Sequence, residues 1–520
     1  MGGPKRSGKG FGAAEPASRP KMLHAETSSE LAAKELRSMQ LIKQGKFQEA
    51  EAICRELITA GTTNYIIHAN LGMLLKRRGE PASAIAAYQQ ALALNPRDPN
   101  LHYNLGNAFK SQGNLKLAIA AYTKALELNP ADAESHYNLG NAHKSLDNLQ
   151  AAIAAYRNVL ELNQHHLGAH NNLAIALHAQ GDLPAAIAAY RTLIELNPNY
   201  PDAKWNYALT LLLNGDYDHG WEHYEFRPRR NTAGAHGQPQ GHRWDGTTAD
   251  SGSDILLVSE QGIGDTLQFM RYVPILQNRG FSVTLSAPQR LHTLIQASGI
   301  APSLINPDMI SATSARCWSP LLSVPRHLGV RPGNPLLAEP YIASTDELES
   351  KWKDLLATEK RPVIGINWQG NPEAEQEELR GRSLPLEAFS PIIANNQVSL
   401  VSLQKGYGSE QLQSCSFRHR FVACQQQVDD TWDFLETAAI IANCDLIITS
   451  DTSVAHLAGG MGKTTWLLLH NVPDWRWGLD GDATFWYPSM RLFRQTERGN
   501  WDDVLRRVAD SLHKQLLRET

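Results

Sequence analysis

Cysteine is scarce in this 520-residue chain. The five cysteines are Cys54, Cys317, Cys415, Cys424 and Cys444, and no two of them form a CxxC pair or a zinc-ligand spacing. This pattern argues against a cysteine-based metal site. An odd, scattered set of thiols is typical of a reduced, cytosolic protein. We therefore expect no metal site and no disulfide framework.

Long apolar runs and net positive charge are also missing. No apolar stretch approaches the roughly 20 residues that a membrane span needs, and none follows the basic N-terminus as in a signal peptide. Arg6 occupies the Ser/Thr position of a myristoylation signal. The net charge of −4 predicts no general attraction to nucleic acid or membranes. We expect a cytoplasmic protein whose basic, Gly/Pro/Ser-containing residues 1–29 are disordered.

An internal repeat of thirty-four residues dominates the first half of the sequence. Versions of AIAAY end at Tyr88, Tyr122, Tyr156 and Tyr190. Glycines recur in the same frame at Gly79, Gly113, Gly181 and Gly215, with Asp147 replacing one of them. The period and the prolines that close the second helices resemble tetratricopeptide repeats. The pattern predicts an α-solenoid of about six helix–turn–helix repeats over residues 30–226.

Asparagine occupies one position in the first helices of five repeats. The residues are Asn70, Asn104, Asn138, Asn172 and Asn206. Stacked repeats align equivalent positions along one face, and an amide can bond an extended peptide backbone. The repeats of protein O-GlcNAc transferases are similar here, which implies a protein or peptide partner in the groove. Alternatively, these amides bridge neighbouring helices.

After residue 226 the pattern changes twice. Residues 227–253 are rich in Gly, Pro and polar residues and are predicted to form a linker, with Trp244 pinning it to a neighbouring domain. Strand and helix signals then alternate, which indicates parallel sheets. We predict two Rossmann-like halves, residues 254–345 and 346–520, in the layout of a GT-B glycosyltransferase. The predicted fold class is therefore an α-solenoid followed by α/β.

A glycine-rich turn, Glu260–Leu267 (EQGIGDTL), follows the first predicted strand of the α/β region. It departs from a dinucleotide-binding fingerprint because Leu267 stands where the third glycine belongs, so a nicotinamide site is not expected. Gly262 and Gly264 permit a tight turn that places Asp265 at the start of a helix, which is predicted to run to about Arg279. Asp265 either caps this helix or acts as a general base toward an acceptor hydroxyl.

A second turn, in the segment 447–463 (IITSDTSVAHLAGGMGK), joins a late strand to a short helix. Helix N-termini present unpaired N–H groups and partial positive charge, so this junction is either an anion site or an ordinary cap. Its position favours a diphosphate site. We expect Asp451 to cap and orient the loop, and Thr452, Ser453 and His456 to contact the phosphates.

Three further segments follow predicted strands. In NWQGNP with RGRSLPL, Arg380 and Arg382 either clamp a diphosphate or belong to a charged surface loop. In SLQKG, Lys405 is suited to phosphate, and Glu410 to ribose hydroxyls. The aromatics of PDWRW and WYPSMRLFRQ are expected in the core or in a lid.

These segments together resemble one family. EQGIGDTLQFMRYVPIL, GINWQGNP with RSLPL, VSLQKG, ITSDTSVAHLAGGMGK and VPDWRWGLD with WYPSMRLFRQ occur in this order. Residues 250–515 resemble the family-9 type glycosyltransferase domain, related to ADP-heptose:lipopolysaccharide heptosyltransferases and found after tetratricopeptide repeats in bacterial proteins. The lysine-bearing signature of the true heptosyltransferases is absent, with RGRSLP in its place. The resemblance therefore does not extend to heptose as donor.

The resemblance implies a GT-B fold and metal-independent, inverting sugar transfer from a nucleotide sugar held by the C-terminal half. It assigns Asp265 as base and Asp451, Thr452, Ser453 and His456 to the donor diphosphate, with Lys405 and Glu410 near the donor. No DxD sequence follows a strand here, which favours transfer without a metal, and no cofactor is expected beyond the co-substrate. The alternative function is a protein-interaction scaffold whose C-terminal region only binds.

Overall fold

A computed structural model describes residues 28–228, 239–247, 253–336, 340–373, 375, 381–394 and 397–519. The chain divides into two compact units, residues 1–147 and 148–520. Of the segment 1–29, only Ser28 and Ser29 are described, and they begin the first helix. None of the described helices combines the length and apolar character that crossing a bilayer requires. None of the five cysteines is disulfide-bonded.

Twelve helices occupy the repeat region among the described residues. Unit 1 contains α1 (Ser28–Lys43), α2 (Phe47–Thr59), α3 (Tyr65–Arg77), α4 (Pro81–Leu94), α5 (Pro99–Ser111), α6 (Leu115–Leu128) and α7 (Ala133–Ser145). Unit 2 begins with α8 (Leu149–Leu162), α9 (Leu167–Gln180), α10 (Leu183–Leu196), α11 (Ala203–Leu213) and α12 (Tyr217–Tyr224). The division into units therefore falls inside the predicted repeat region.

The repeated glycines and tyrosines have a packing role. A Cβ on Gly72 would lie 2.8 Å from the ring of Tyr88, and one on Gly106 would lie 2.6 Å from the ring of Tyr122. Both tyrosines are buried, so each needs a residue without a side chain on the facing helix. The turn residues have left-handed backbone, with φ from 73° to 89° at the repeat-frame glycines Gly45, Gly79, Gly113, Gly181 and Gly215, and 62° at Asp147.

The first sheet of unit 2 is parallel and has five strands. These are β1 (His242–Arg243), β2 (Asp254–Val258), β3 (Ser282–Ser286), β4 (Ser303–Ile305) and β5 (Cys317–Pro320), in the order β1-β5-β2-β3-β4. Its helices are α13 (Ile263–Phe269), α14 (Val273–Asn278), α15 (His292–Ala297) and α16 (Val324–Leu328). Buried apolar runs such as DILLV are typical of parallel strands covered on both faces.

Two local predictions differ from the structure here. The predicted linker 227–253 contributes β1, which pairs with β5, and Trp244 is buried against Phe281 and His327. Residues 229–238 and 248–252 of that linker lie outside the described residues. The single helix predicted over residues 265–279 is broken between α13 and α14, because Pro274 starts a new helix rather than continuing one.

The second sheet is also parallel with five strands. These are β6 (Val363–Asn367), β7 (Ser399–Ser402), β8 (Leu446–Ser450), β9 (Thr465–Leu469) and β10 (Met490–Arg494), in the order β10-β9-β8-β6-β7. The accompanying helices are α17 (Asp346–Leu355), α18 (Ser390–Ala394), α19 (Gln425–Asp430), α20 (Phe434–Ala442), α21 (Ser453–Gly460) and α22 (Trp501–Glu519). The fold class predicted for this region, α/β with parallel sheets, is confirmed.

The last helix pair packs directly onto the α/β part of unit 2. The indole Nε1 of Trp221 donates to the carbonyl of Val330 at 2.7 Å, and its ring lies 5.3 Å from that of Trp475. Arg227 forms a buried ion pair with Glu260, at the end of β2. Burial of aromatic rings and of a paired charge makes this a packed junction rather than a loose connection.

Candidate functional site

A cleft of about 790 Å³ lies where the carboxyl ends of strands from both sheets meet. Its walls include Gln261–Asp265 after β2, Asn367 at the end of β6, Leu403–Lys405 after β7, Asp451–Val454 after β8, and Asp474 and Arg476 after β9. In the first sheet the chain connections reverse direction between β2 and β5. In the second sheet they reverse direction between β6 and β8. Open parallel sheets bind ligands at such points.

A hydrogen-bond network ties three strand ends of the second sheet together. The Thr452 hydroxyl donates to Asn367 Oδ1 at 2.9 Å, and Asn367 Nδ2 donates to Gln404 Oε1 at 3.0 Å. Gln404 Oε1 also accepts the N–H groups of Trp368 (3.2 Å) and Gln369 (3.0 Å). Because Asn367 and Gln404 are buried, this network fixes the geometry of the cleft floor.

The segment predicted as an anion site has an uncapped helix start. Thr452 is the N-cap residue of α21 but makes no side-chain cap bond, because its hydroxyl is bonded to Asn367. Asp451 does not cap this helix, so its predicted capping role is wrong. Burial raises the pKa of Asp451 to about 6, Asp474 adds to the rise, and Arg382 opposes it. The first N–H groups of α21 therefore remain available to an anion.

His456 lies buried in the first turns of α21. Its Nδ1 is 2.9 Å from the Tyr487 hydroxyl, and its ring stacks on Trp477 with 5.5 Å between centroids. Burial holds the pKa of His456 well below its usual value, with Arg476 and Arg271 adding to the effect. A Cβ on Gly264 would lie 2.9 Å from His456 Cδ2, so the glycine turn of the first sheet touches the helix of the second.

Asp265 lies at the start of α13 and faces Arg476. Its Oδ2 accepts the Gly262 N–H at 2.9 Å, as a capping residue does, and its Oδ1 accepts from the Arg476 guanidinium. Asp474 Oδ1 accepts from Arg476 Nη1 at 2.9 Å. Burial raises the pKa of Asp265, while Arg476 opposes the rise. Both alternatives for Asp265 thus stay open: it caps the helix and it lines the cleft.

Both predicted cationic residues that the structure describes, Arg382 and Lys405, line the cleft. Arg382 lines the cleft, donates to the Asp451 carbonyl at 3.1 Å and pairs with Glu375. Lys405 also lines it, but its Nζ donates to the carbonyl of Val428, and burial lowers its pKa. Glu410 is exposed and is not among the residues that line the cleft, so the structure does not bring it to the donor position. Arg380 lies outside the described residues.

Several cleft residues were missed from the sequence. Arg476 and Asp474 belong to the PDWRW segment, which was expected to be core or lid. Trp432 lines the cleft although 71% of its surface is exposed, and Tyr407, another lining residue, is 54% exposed. An Asp-x-Arg pattern in the loop that follows β9 was the available signal for Asp474 and Arg476. No sequence signal identified Trp432.

The repeat asparagines do not all present free amides. Within unit 1, the Asn138 side chain accepts from Lys110 Nζ at 2.6 Å and donates to the Glu134 carbonyl and the Tyr103 hydroxyl. This matches the alternative in which the asparagine bridges neighbouring helices. Asn70, Asn104, Asn172 and Asn206 are partly exposed in their respective units. Peptide binding by these residues stays a prediction.

The fold and the comparisons define the class of the first part of the chain: it carries tetratricopeptide repeats. Family models described as TPR repeat match residues 72–113 and 106–147, and models described as tetratricopeptide repeat match residues 137–201 and 173–219. The predicted repeats are thereby confirmed. Such repeats support a role in binding a protein or peptide.

Particular relatives cover only part of the chain. Protein FlbA of Caulobacter vibrioides is 25% identical over 335 residues, which cover 56% of this chain and 52% of that protein. The chain thus spans about half the length of this curated relative. YrrB, titled a TPR protein with an unusual peptide-binding site, is 23% identical, with 33% of this chain and 89% of that chain covered (TM-score 0.31). A tetratricopeptide repeat protein from Parabacteroides merdae is 21% identical, with 38% and 78% covered (TM-score 0.34).

Proposed function

We propose that unit 2 is a GT-B glycosyltransferase that moves a sugar from a nucleotide sugar to an acceptor hydroxyl. The observation that carries this proposal is the meeting of both sheets' switch points in one cleft. Its volume of about 790 Å³ falls in the range of small-molecule sites. A nucleotide sugar needs a phosphate site, a base-binding wall and a catalytic carboxylate, and candidates for all three line this cleft.

The phosphate site lies at the N-terminus of α21. The helix start offers its N–H groups at Thr452 and Ser453, and the Arg382 guanidinium lies within 3.1 Å of the carbonyl of the preceding residue, Asp451. His456 is neutral, because its pKa is lowered, so it serves as a hydrogen-bond partner rather than a cation. Together these groups stabilise the charge that develops on a leaving diphosphate without requiring a metal.

Asp265 is the proposed base of an inverting displacement. The acceptor hydroxyl gives its proton to Asp265 while its oxygen forms a bond to the anomeric carbon. The bond from that carbon to the diphosphate oxygen breaks, and the diphosphate leaves with the electron pair. Burial favours proton uptake by Asp265, and the Arg476 ion pair orients the carboxylate toward the cleft.

Trp432 is the proposed wall for the nucleobase. A tryptophan that is 71% exposed in the wall of a cleft leaves most of its apolar ring accessible to a ligand. Stacking of an aromatic base on such a ring is favourable and sequence-tolerant. Thr431 precedes Trp432 in the sequence, and its hydroxyl lies 3.3 Å from Lys405 Nζ. Both residues line the cleft, so they are placed to contact the ribose or phosphates of a nucleotide stacked on Trp432.

The acceptor is proposed to be a protein or peptide. Trp205 of α11, in the last helix pair, lines the cleft together with the transferase residues. A polypeptide bound by the repeats of unit 2 would therefore reach the cleft along α11. This proposal joins the confirmed repeats to the proposed chemistry.

A binding-only scaffold is the second candidate, and two contacts favour it. Asp265 is already bonded to Arg476, and Lys405 to a backbone carbonyl, so both are engaged without a ligand. In that case the cleft binds a nucleotide but turns nothing over.

A turnover assay separates the two candidates. The full chain is incubated with ADP-, GDP-, UDP- and dTDP-sugars, and release of nucleoside diphosphate is measured with and without peptide acceptors. We expect one sugar nucleotide to raise the thermal midpoint and to be consumed, with Asp265→Asn losing at least about a hundredfold in rate. Stabilisation without turnover supports the scaffold. Full activity of Asp265→Asn refutes the assignment of the base.

A further inference from the structure

A column of lysines runs along the first helices of three consecutive repeats in unit 1. Lys76 in α3, Lys110 in α5 and Lys144 in α7 are separated by thirty-four residues each, so they occupy one repeat position. Helix α3 contacts α5, and α5 contacts α7. Equivalent positions on stacked repeats align, so these three residues, the lysine column, lie in a row.

The lysine column is partly buried, and Lys76 and Lys110 lie close enough for their charges to interact. Burial lowers the pKa of Lys76, Lys110 and Lys144, and Lys76 lowers the pKa of Lys110 further. Lys110 Nζ donates to Asn138 Oδ1, a neutral acceptor. No described carboxylate forms an ion pair with Lys76 or Lys110. The like charges of these two lysines cost stability unless a partner supplies an acid.

This positive charge is local to one set of helices. Helices α3, α5 and α7 carry four lysines and arginines (Lys76, Arg77, Lys110 and Lys144) against a single carboxylate, Glu134. The whole chain has a net charge of −4. The lysine column therefore departs from the chain's overall charge and fits a negatively charged partner.

We propose that the lysine column binds an extended acidic segment of a partner protein. First helices of neighbouring repeats pack about 10 Å apart, and an extended chain in the polyproline II conformation has three residues per turn at about 3.1 Å each, so every third side chain lies on one face. The matching segment therefore carries an Asp or Glu at about every third residue. Grooves that bind single-stranded nucleic acid combine basic residues with exposed rings on which bases stack. Tyr103 beside the column instead packs on Tyr122, and its hydroxyl accepts a hydrogen bond from Asn138. This arrangement favours an acidic polypeptide over a nucleic acid.

The test uses the full chain and a fluorescein-labelled 12-residue peptide with Glu at every third position. Binding is followed by fluorescence anisotropy at low salt and in 0.5 M NaCl, with a Gln-for-Glu peptide as the neutral probe. The triple variant Lys76→Gln, Lys110→Gln and Lys144→Gln is compared with a matched triple, Lys46→Gln, Lys116→Gln and Lys124→Gln. All three matched lysines are exposed and lie off the first helices.

We expect the acidic peptide to bind, the neutral peptide not to bind, and high salt to weaken binding. The column triple should lose at least about tenfold in affinity and the matched triple less than twofold, since each ion pair contributes a few-fold. Equal losses in both triples, or equal binding of the two peptides, overturn the proposal. So does a 12-nucleotide oligo-dT that binds more tightly than the peptide and depends on the column.

Folding of the variants is checked by circular dichroism. If the column triple is unfolded, Lys76→Gln alone carries the test, because Lys76 has no described ion pair, and an affinity within 20% of wild type overturns the proposal. The outcome is independent of the transferase assignment. Turnover of a free nucleotide sugar in unit 2 should be unchanged in the column triple.

Discussion

The side chain of Gln404 offers the sharpest test of how the cleft is built. Its Oε1 accepts three hydrogen bonds, from Asn367 Nδ2 and from the N–H groups of Trp368 and Gln369. Its Nε2 donates two, to the carbonyls of Gln369 (2.9 Å) and Tyr407 (2.7 Å). Gln404 is 3% exposed. Every polar group of this amide is thus used within the fold.

Gln404→Ala removes all five hydrogen bonds at once. With about 1 kcal/mol net per bond, and some partners reached by water from the cleft, we expect the free energy of unfolding to fall by about 3–5 kcal/mol. Urea denaturation followed by tryptophan fluorescence measures this change. Hydrogen exchange at the N–H groups of Trp368 and Gln369 should also accelerate. The exposed neighbour Gln413 serves as control, and Gln413→Ala should change stability by less than about 0.5 kcal/mol.

The same variant should weaken nucleotide binding, because Asn367 holds the Thr452 hydroxyl and Gln404 holds Asn367. A Gln404→Ala protein with stability within about 0.5 kcal/mol of wild type and unchanged exchange would refute this account of the cleft floor.

Three further predictions concern the cleft. Gly264→Ala places a Cβ 2.9 Å from His456, so the thermal midpoint should fall by several degrees, whereas Gly333→Ala, with nothing within 4 Å, should be neutral. The pKa of Asp451 is about 6 against 3.8 unfolded, so its contribution to stability is full below pH 3.8 and is lost as pH rises through 6. Nucleotide-sugar affinity, measured by calorimetry, should fall by up to about tenfold per pH unit above 6, and Asp451→Asn should flatten this dependence. Trp432→Ala should weaken nucleotide binding by about tenfold or more without changing the thermal midpoint.

Each of these predictions can fail separately. A Gly264→Ala protein as stable as Gly333→Ala would show that the two sheets are not in contact at His456. A pH dependence that persists in Asp451→Asn would assign it to another group. An unchanged affinity in Trp432→Ala would place the nucleobase elsewhere.

The repeats were predictable because their constraint is local and recurs. Tyr88 and Tyr122 each need a glycine on the facing helix, and the repeat turns need a left-handed residue, so the sequence shows both features at a fixed period. The parallel sheets were predictable from buried apolar runs that end in polar turns. The short strand β1 was not, because two residues in a Gly- and Pro-rich segment carry no alternation to detect.

The candidate site was only partly predictable, because its contacts join distant segments. The turn at Gly264 and the helix at His456 were both singled out, and the structure brings them together. Arg476 was missed, since its ion pair with Asp265 arises only when the loop after β9 meets the first sheet. Glu410 was misplaced because a carboxylate soon after a strand can face away from the cleft, as it does here.

A crystal structure of the protein soaked with the nucleoside diphosphate that stabilises it most tests the central claim directly. We predict a diphosphate at the N-terminus of α21, within hydrogen-bond distance of the backbone N–H of Ser453 and of the Arg382 guanidinium, with its base on Trp432. An empty cleft at saturating ligand, or a nucleotide bound elsewhere on the chain, would contradict the account.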